Sequence, residues 1–274
     1  MSLFVTDTLN SCEGKIALVT GAANGIGRAC MDALAQAGAQ VLATDIEIDE
    51  LARVVDKLAK TGAQIRILAQ DVTDEKQWAE IVASLKENEG GLNVLVNNAG
   101  IAVAAPLIEM SLDDFRRQNA VNVDGVFMGC KHAIPLMAET EGGSIINISS
   151  VAGLIGASGL AGYSASKGAV RLFSKAVAME CADAQLPIRC NSVHPGIIDT
   201  DIWGKEISGL GAANPDLMSD GGNRINIELM TAEMPGGRPG SAEEIANAVV
   251  FLASDAASYI NGTELVVDYG MTAR

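Results

Sequence analysis

A tyrosine and a lysine lie four residues apart in the segment YSASK, at Tyr163 and Lys167. On a helix, residues at positions i and i+4 share a face, so the phenol hydroxyl and the ammonium group can approach each other. A phenol with an ordinary pKa of about 10 is a poor base at neutral pH, and a neighbouring cation helps it to lose its proton. The pair therefore predicts a proton-transfer site, although an ordinary helix start with a solvated lysine has the same spacing.

A second candidate site is the glycine-rich segment TGAANGIG, which follows an apolar run that predicts a strand. Glycines at a strand-to-helix turn let the backbone approach a pyrophosphate, and the amides at a helix N-terminus favour its charge. The spacing G-x-x-x-G-x-G differs from the dinucleotide fingerprint G-x-G-x-x-G, so the turn alone is weak evidence. Its candidate nucleotide-binding residues are Gly21, Asn24, Gly25, Ile26 and Gly27.

Asp45 ends the second predicted strand, where a carboxylate can accept hydrogen bonds from the adenosine ribose hydroxyls. The same carboxylate repels a 2′-phosphate, and the adjacent Ile46 offers no compensating cation, although Arg28 lies nearby on the first helix. These features favour NAD over NADP as the cofactor. The alternative is that Asp45 is the N-cap of the helix that follows in DIEIDE.

Two further strand ends carry candidate cofactor contacts. Asp71 and Val72 close the third predicted strand, where a carboxylate and an apolar side chain can contact the adenine. The segment NNAG closes the fourth strand, and its candidates are Asn98, Ala99 and Gly100. An asparagine there can cross-link neighbouring loops, while the small residues leave room for a cofactor to lie on the backbone.

Composition excludes several classes of function. The 274 residues carry a formal net charge of -15 and only 4% aromatic residues, which opposes binding to nucleic acid or to an anionic membrane surface. No signal-peptide pattern and no uninterrupted apolar segment of about 18 residues occurs, so we expect a cytoplasmic protein. Five cysteines without a C-x-x-C pair predict reduced thiols, and two distant histidines predict no metal site.

The whole chain alternates seven apolar, strand-like runs with amphipathic, helix-like stretches. This alternation predicts βαβ units with a parallel sheet covered on both faces. No linker divides the chain, so we expect one domain over residues 1–274, with a dinucleotide-binding half at 12–110 and a catalytic half at 111–274. The glycine-punctuated segment at about 201–234 predicts a substrate lid, or else two short surface helices over ordinary core.

Five segments occur in an order and spacing that resemble the short-chain dehydrogenase/reductase family: TGAANGIG, NNAG, the pair Ser149-Ser150, YSASK and HPG. The resemblance covers essentially the whole chain. It implies a single-domain α/β architecture, a doubly wound Rossmann fold whose seven-stranded parallel sheet has helices on both faces. It also implies hydride transfer between a nicotinamide and a carbonyl or alcohol carbon.

The resemblance assigns catalytic roles to four residues. Tyr163 matches the general acid/base, and Lys167 matches the residue that lowers the tyrosine pKa and binds the nicotinamide ribose. Ser150 matches the hydroxyl that holds the substrate oxygen. Asn122 matches the asparagine that kinks the long fourth helix and orders a water in the proton relay.

Two other features follow from the resemblance. The segment after HPG resembles the stretch that contacts the nicotinamide carboxamide, and its candidates are Pro195, Gly196, Ile198 and Thr200. The family also implies a homotetramer assembled through the long helices that begin near Asp113 and Tyr163. One departure is Tyr269, which replaces the middle glycine of a segment usually written Asp-Gly-Gly.

The substrate is predicted from what surrounds the candidate catalytic residues. The connection VAGLIGASGLAG and the residues after NNAG are nearly uncharged, which favours an apolar secondary alcohol because unpaired substrate hydroxyls are costly to bury. Several segments are most similar to bacterial cyclic-alcohol and 3β/17β-hydroxysteroid dehydrogenases. The alternatives are a 3-oxoacyl-acyl carrier protein reductase and, from a different class, a non-catalytic NAD-binding sensor or scaffold.

Overall fold

The computed structural model describes residues 10–58, 63–140, 142–205 and 225–273. All seven predicted strands form one parallel sheet in the order β3-β2-β1-β4-β5-β6-β7. The strands are β1 (Ile16–Thr20), β2 (Gln40–Asp45), β3 (Ile65–Ala69), β4 (Val94–Asn97), β5 (Gly143–Ile148), β6 (Ile188–Pro195) and β7 (Glu264–Val267). The strand order reverses between β1 and β4, and open α/β sheets bind ligands beyond the carboxyl ends of the strands at such a point.

Helices cover both faces of the sheet. In the described ranges they are α1 (Gly25–Gln36), α2 (Ile48–Leu58), α3 (Glu75–Asn88), α4 (Leu112–Asn119), α5 (Gly125–Met137), α6 (Ala161–Asp183), α7 (Ile202–Lys205), α8 (Ile227–Thr231) and α9 (Ala242–Ala253). One buried cluster joins the sheet to α1, α2 and α9, and a second joins it to α3, α5 and α6. The predicted doubly wound architecture is therefore confirmed.

Two local features position residues of the candidate site. Helix α4 continues through a π-helical turn, residues 120–124, into α5, and Asn122 lies inside that turn. Such a turn marks an irregularity in a long helix, as expected for a kink. Helix α6 begins at Ala161, which places Tyr163 and Lys167 in its first two turns.

Three further expectations concern the cysteines, membrane-spanning segments and the predicted lid. All five cysteines are buried, unpaired thiols, as predicted. Within the described ranges, no helix combines the length and apolar character that crossing a bilayer requires. Residues 206–224 of the predicted lid lie outside the described residues, so the lid stays a prediction, and its two described flanks contain the short helices α7 and α8.

Candidate active site

A mostly apolar cavity of about 230 Å³ lies beyond the carboxyl ends of the central strands. Ser150, Tyr163 and Lys167 line it together, although they come from different parts of the chain. Its apolar wall includes Ile155, Leu160, Ile202, Trp203, Met230 and Met271. The flanks of the predicted lid thus cover this cavity, where Trp203 donates a hydrogen bond from Nε1 to the Ile198 carbonyl at 2.7 Å.

Tyr163 and Lys167 meet on one face of α6, as their spacing predicts. The Lys167 Nζ atom lies 5.7 Å from the centre of the Tyr163 ring and donates a hydrogen bond to the Ile148 carbonyl at 2.8 Å. Lys167 is only 4% exposed. The lysine is therefore held between the end of β5 and the ring face of the tyrosine.

Burial dominates the protonation equilibria of this pair. It lowers the pKa of Lys167 to about 8 and raises the pKa of Tyr163 to about 12, because both charged forms lose hydration. A hydrogen bond from the Ser150 hydroxyl opposes the rise in the Tyr163 pKa. The expected lowering of the tyrosine pKa by Lys167 is thus not the net outcome, since burial raises that pKa.

Ser150 lies two residues after the end of β5 and is the N-cap of a short 3₁₀ turn. Its side-chain oxygen accepts a hydrogen bond from the Ala152 amide at 3.1 Å, which caps the turn Val151–Gly153. The same hydroxyl lines the cavity with Tyr163 and acts to lower the pKa of its phenol, against the larger effect of burial. A serine hydroxyl and a phenol thus face the cavity side by side, an arrangement that can hold one substrate oxygen.

Asn122 lies beside the site but does not line the cavity that contains Ser150, Tyr163 and Lys167. Its side chain bonds both backbone groups of Ile101, accepting from the amide and donating to the carbonyl at 2.8 Å each. It also donates to the Ser166 hydroxyl at 3.0 Å. Asn122 therefore joins the π-helical turn to α6 and to the chain that follows β4.

A second cavity, of about 440 Å³, adjoins the first and shares Asn98, Gly100 and Thr200 with it. Nearly all the predicted cofactor-binding residues line one of the two. The second cavity is lined by Gly21, Asn24, Asp45, Ile46, Asp71, Val72, Asn98, Ala99 and Gly100, and the first by Ile26, Pro195, Gly196, Ile198 and Thr200. The two cavities adjoin at these shared residues and together extend from Asp45 to Tyr163, which suits a dinucleotide.

Gly25 and Gly27 line neither cavity, and both lie in the first turn of α1. A Cβ atom on Gly27 would lie 2.0 Å from the Gly21 carbonyl oxygen, so only glycine allows this close packing of helix and strand. Gly25 has a φ of +52°, and a Cβ there would approach the Thr200 side chain to 3.2 Å. The turn therefore keeps its backbone open at the N-terminus of α1, as pyrophosphate binding requires.

Asp45 is tied to the glycine-rich turn rather than to α2. Its carboxylate accepts hydrogen bonds from the amides of Ala23 and Glu47 at 2.9 Å each. Neither amide lies inside α2, so the alternative of a helix N-cap is not supported. A carboxylate has about four acceptor positions, so Asp45 retains capacity for ribose hydroxyls.

Several residues that line the cavities were not predicted. Glu47 places a second carboxylate beside Asp45, and no Lys or Arg of the described residues lines that cavity. The signal for Glu47 was the acidic run DIEIDE, which begins at the last residue of β2. Met271 had no comparable signal, because its place in the wall depends on how the C-terminal turn folds back.

Comparison with protein families gives one match that spans most of the chain. Residues 21–272 match the family described as Enoyl-(Acyl carrier protein) reductase. Among solved structures, the crystal structure of gox2181 superposes with a TM-score of 0.86 at 32% identity, over 97% of this chain and 99% of that chain.

Three curated relatives show the range of activities among similar chains. Cyclopentanol dehydrogenase of Comamonas testosteroni is 38% identical over 94% of this chain and 97% of its own length. The 3-beta-hydroxysteroid dehydrogenase of Comamonas testosteroni is 37% identical over 94% and 96%. The NADP-dependent (R)-specific alcohol dehydrogenase of Lentilactobacillus kefiri is 36% identical over 98% and 100%.

Proposed function

Because this chain belongs to the short-chain dehydrogenase/reductase family, we propose that it is an NAD-dependent oxidoreductase that interconverts an apolar secondary alcohol and its ketone. The substrate class is a cyclic alcohol or a hydroxysteroid. One observation carries the proposal: Ser150 and Tyr163 both line the same mostly apolar cavity.

In ketone reduction, Tyr163 acts as the general acid. Burial keeps the phenol protonated at neutral pH, so it can donate its proton to the substrate oxygen as negative charge develops there. The Ser150 hydroxyl donates a second hydrogen bond to the same oxygen, and one such donor is worth about 2.7 to 4 kcal/mol in other oxyanion sites. A bound nicotinamide supplies or accepts the hydride.

Alcohol oxidation uses the same groups in reverse, with Tyr163 as the base. Lys167 lies within 5.7 Å of the phenol ring, and its charged form favours the phenolate that this direction requires. Its place in the cavity wall also suits a hydrogen bond to the nicotinamide ribose. Asn122 keeps its proposed role in ordering a water of the proton relay, and its bonds to Ile101 and Ser166 hold it in place beside the site.

NAD is the proposed cofactor because carboxylates line the second cavity, among them Asp45, which ends β2, and Glu47, two residues later. Asp45 and Glu47 both repel a 2′-phosphate, and the described lining residues offer no cation to offset them. Family membership alone does not decide this point, since the relative from Lentilactobacillus kefiri is NADP-dependent.

The apolar wall of the first cavity supports the substrate class. A sugar or a hydroxy acid would bury polar groups against Leu160, Trp203 and Met230 without partners, at a cost of about 1–3 kcal/mol for each group. A cycloalkanol or a steroid ring places only its reacting oxygen near polar groups. The names of the relatives include both kinds of substrate.

The proposal is tested by initial rates of NADH formation with a panel of cyclic alcohols and hydroxysteroids, under NAD and NADP. Turnover with NAD is expected in the wild type, and Tyr163→Phe should abolish it while NADH affinity changes by less than about threefold. Wild-type turnover in Tyr163→Phe would contradict the assigned acid/base. A preference for NADP would contradict the role given to Asp45 and Glu47.

A second candidate is reduction of a 3-oxoacyl thioester on acyl carrier protein, because a relative from Thermotoga maritima that is 37% identical over 94% of this chain is named 3-oxoacyl-acyl-carrier-protein reductase. Asp45 opposes it because such reductases usually resemble the NADP-binding pattern. The net charge of -15 also opposes it, because acyl carrier protein is itself acidic. A non-catalytic sensor is disfavoured because Ser150, Tyr163 and Lys167 are all present. NADH binding without turnover on the alcohol panel, followed by reduction of an acetoacetyl thioester, would favour the second candidate.

We also propose that residues 1–274 form one domain and that the protein is a homotetramer. Apolar side chains remain exposed on the outer surfaces of α4, α5 and α6: Leu112, Phe115, Phe127, Leu172 and Met179. These are the helices through which members of the family are expected to assemble. Such a patch is typical of an interface between proteins.

A further inference from the structure

His194 is a fully buried histidine beside the proposed active site, yet it lines neither cavity. It lies on β6, between β5 and β7. Burial lowers its pKa, which favours the neutral imidazole at neutral pH. The proton transfers proposed above have no use for this ring, so its position requires another explanation.

The hydrogen bonds of His194 define one tautomer. Its Nδ1 atom lies 3.0 Å from the Ser150 carbonyl oxygen, which can only accept, so Nδ1 carries the proton. Its Nε2 atom lies 2.8 Å from the Ser192 hydroxyl and accepts from it. Both nitrogens of the neutral ring are therefore satisfied, and the ring is held at both ends.

Pro195, the residue after His194, explains why a side chain rather than the backbone bonds to the Ser150 carbonyl. Paired residues of β5 and β6 end at Ile148 and Val193, and the last backbone bond runs from the Ser149 amide to the Val193 carbonyl at 2.8 Å. Pro195 has no N–H, so the strand cannot donate its next ladder bond to the neighbouring segment. The His194 imidazole supplies a donor to that segment instead.

This donor acts on the backbone of Ser150. The Ser150 carbonyl also accepts from the Gly153 amide at 2.9 Å, so two donors occupy its two lone pairs. Together they define the peptide plane and hence the direction in which the Ser150 side chain leaves the backbone. That side chain is the one that meets Tyr163.

We propose that His194 is a positioning residue that, through the Ser150 carbonyl, holds the Ser150 hydroxyl against the Tyr163 phenol. The inference rests on the proposed dehydrogenase function, in which these two hydroxyls bind the reacting oxygen. The charged groups that act on the imidazole are Glu264, Arg171 and Lys167. The link itself needs no charge, because it is made by the neutral ring.

Two substitutions that introduce side chains of similar shape test whether His194 positions Ser150. His194→Asn keeps an N–H donor near the position of Nδ1, and His194→Leu has nearly the same shape without the donor. We expect His194→Leu to lower kcat by about 10- to 100-fold through displacement of the serine. His194→Asn should stay within about threefold of wild type, and KM for NAD should be unchanged in both.

The pH profile separates positioning from general stability. In alcohol oxidation, kcat rises with pH as Tyr163 loses its proton, and the Ser150 hydroxyl lowers the Tyr163 pKa. A displaced serine in His194→Leu should therefore move the pH at which kcat reaches half its maximum to a higher value. His194→Gln, whose amide reaches toward Ser192 instead, should behave like the leucine variant and serves if the latter does not fold. A wild-type kcat and a wild-type pH profile in His194→Leu or in His194→Gln would overturn the proposal.

A double-mutant cycle gives the last test. If His194 acts only through Ser150, His194→Leu should cause no further loss of kcat in the Ser150→Ala background. An undiminished loss in that background would overturn the proposal. Absence of any wild-type turnover on the alcohol panel would instead contradict the proposed function, so the two failures are distinguishable.

Discussion

At the scale of single residues, burial decides how the titratable groups of the site behave. Lys167 is charged at neutral pH even though it is almost inaccessible, and its ammonium is compensated by one carbonyl and the face of one ring. Tyr163 is shifted in the direction that keeps it protonated. Both pKa shifts arise because burial makes the charged forms less stable, and such shifts are common at proton-transfer sites.

Replacing Lys167 by methionine should change how stability depends on pH. The folded-state pKa of about 8 lies below the ordinary value of 10.5, so between these values the unfolded chain binds more protons and stability rises with pH. The free energy of unfolding of the wild type should therefore increase relative to that of Lys167→Met as the pH rises above 8, by up to about 3 kcal/mol.

Urea unfolding at fixed protein concentration and several pH values between 7 and 10 measures this difference. Lys57→Met, a change at an exposed lysine of α2, is the matched control and should follow the wild type. A difference between wild type and Lys167→Met that stays constant with pH would contradict the effect of burial on this amine.

At the scale of elements, the turn after β7 shapes the substrate cavity. The Asp268 carboxylate accepts hydrogen bonds from the Gly270 and Thr272 amides at 2.8 and 2.7 Å, which folds the chain back. Tyr269 has a φ of +53°, a conformation that favours glycine, and its ring packs against Gly236. The positive φ agrees with the glycine in the Asp-Gly-Gly segment that this stretch resembles, and the turn places Met271 in the cavity wall.

Met271→Ala should shift substrate preference toward larger rings. Loss of the thioether side chain enlarges the cavity, so kcat/KM for a hydroxysteroid should rise relative to cyclopentanol by about tenfold. Met271→Leu keeps most of the volume and should stay close to wild type. Competition assays with both substrates measure the ratio, and an unchanged ratio in Met271→Ala would remove Met271 from the specificity-determining residues.

At the scale of the whole molecule, the acidic surface and the exposed apolar helices have different consequences. The net charge of -15 keeps the protein away from polyanions. The outer faces of α4, α5 and α6 nevertheless expose large apolar side chains, and Leu172 is 69% exposed. A second copy of the chain is the partner that family membership implies for these helices.

Light scattering should therefore give a mass close to four times the 28.3-kDa chain. Leu172→Glu places a charge in the proposed interface and should yield smaller species, whereas Lys57→Glu on α2 should leave the tetramer intact. A mass of one chain that does not change with concentration would contradict the proposed assembly.

The sequence by itself determined the seven strands, their parallel arrangement and the edge at which the candidate residues gather. Alternating strands and helices allow few topologies, and parallel strands bring their carboxyl ends to one edge. Glycine spacing and the i, i+4 pair were therefore enough to locate the glycine-rich turn and the Tyr163–Lys167 face.

Only the tertiary structure decided the protonation and shape of the site. The pKa values of Tyr163 and Lys167 depend on which distant segments exclude water, and spacing along the chain carries no such information. The wall formed by Met271 and the link from His194 to Ser150 join residues that are remote in sequence. Such contacts exist only once the sheet and its helices have packed, because burial and hydrogen-bond geometry are properties of the assembled fold.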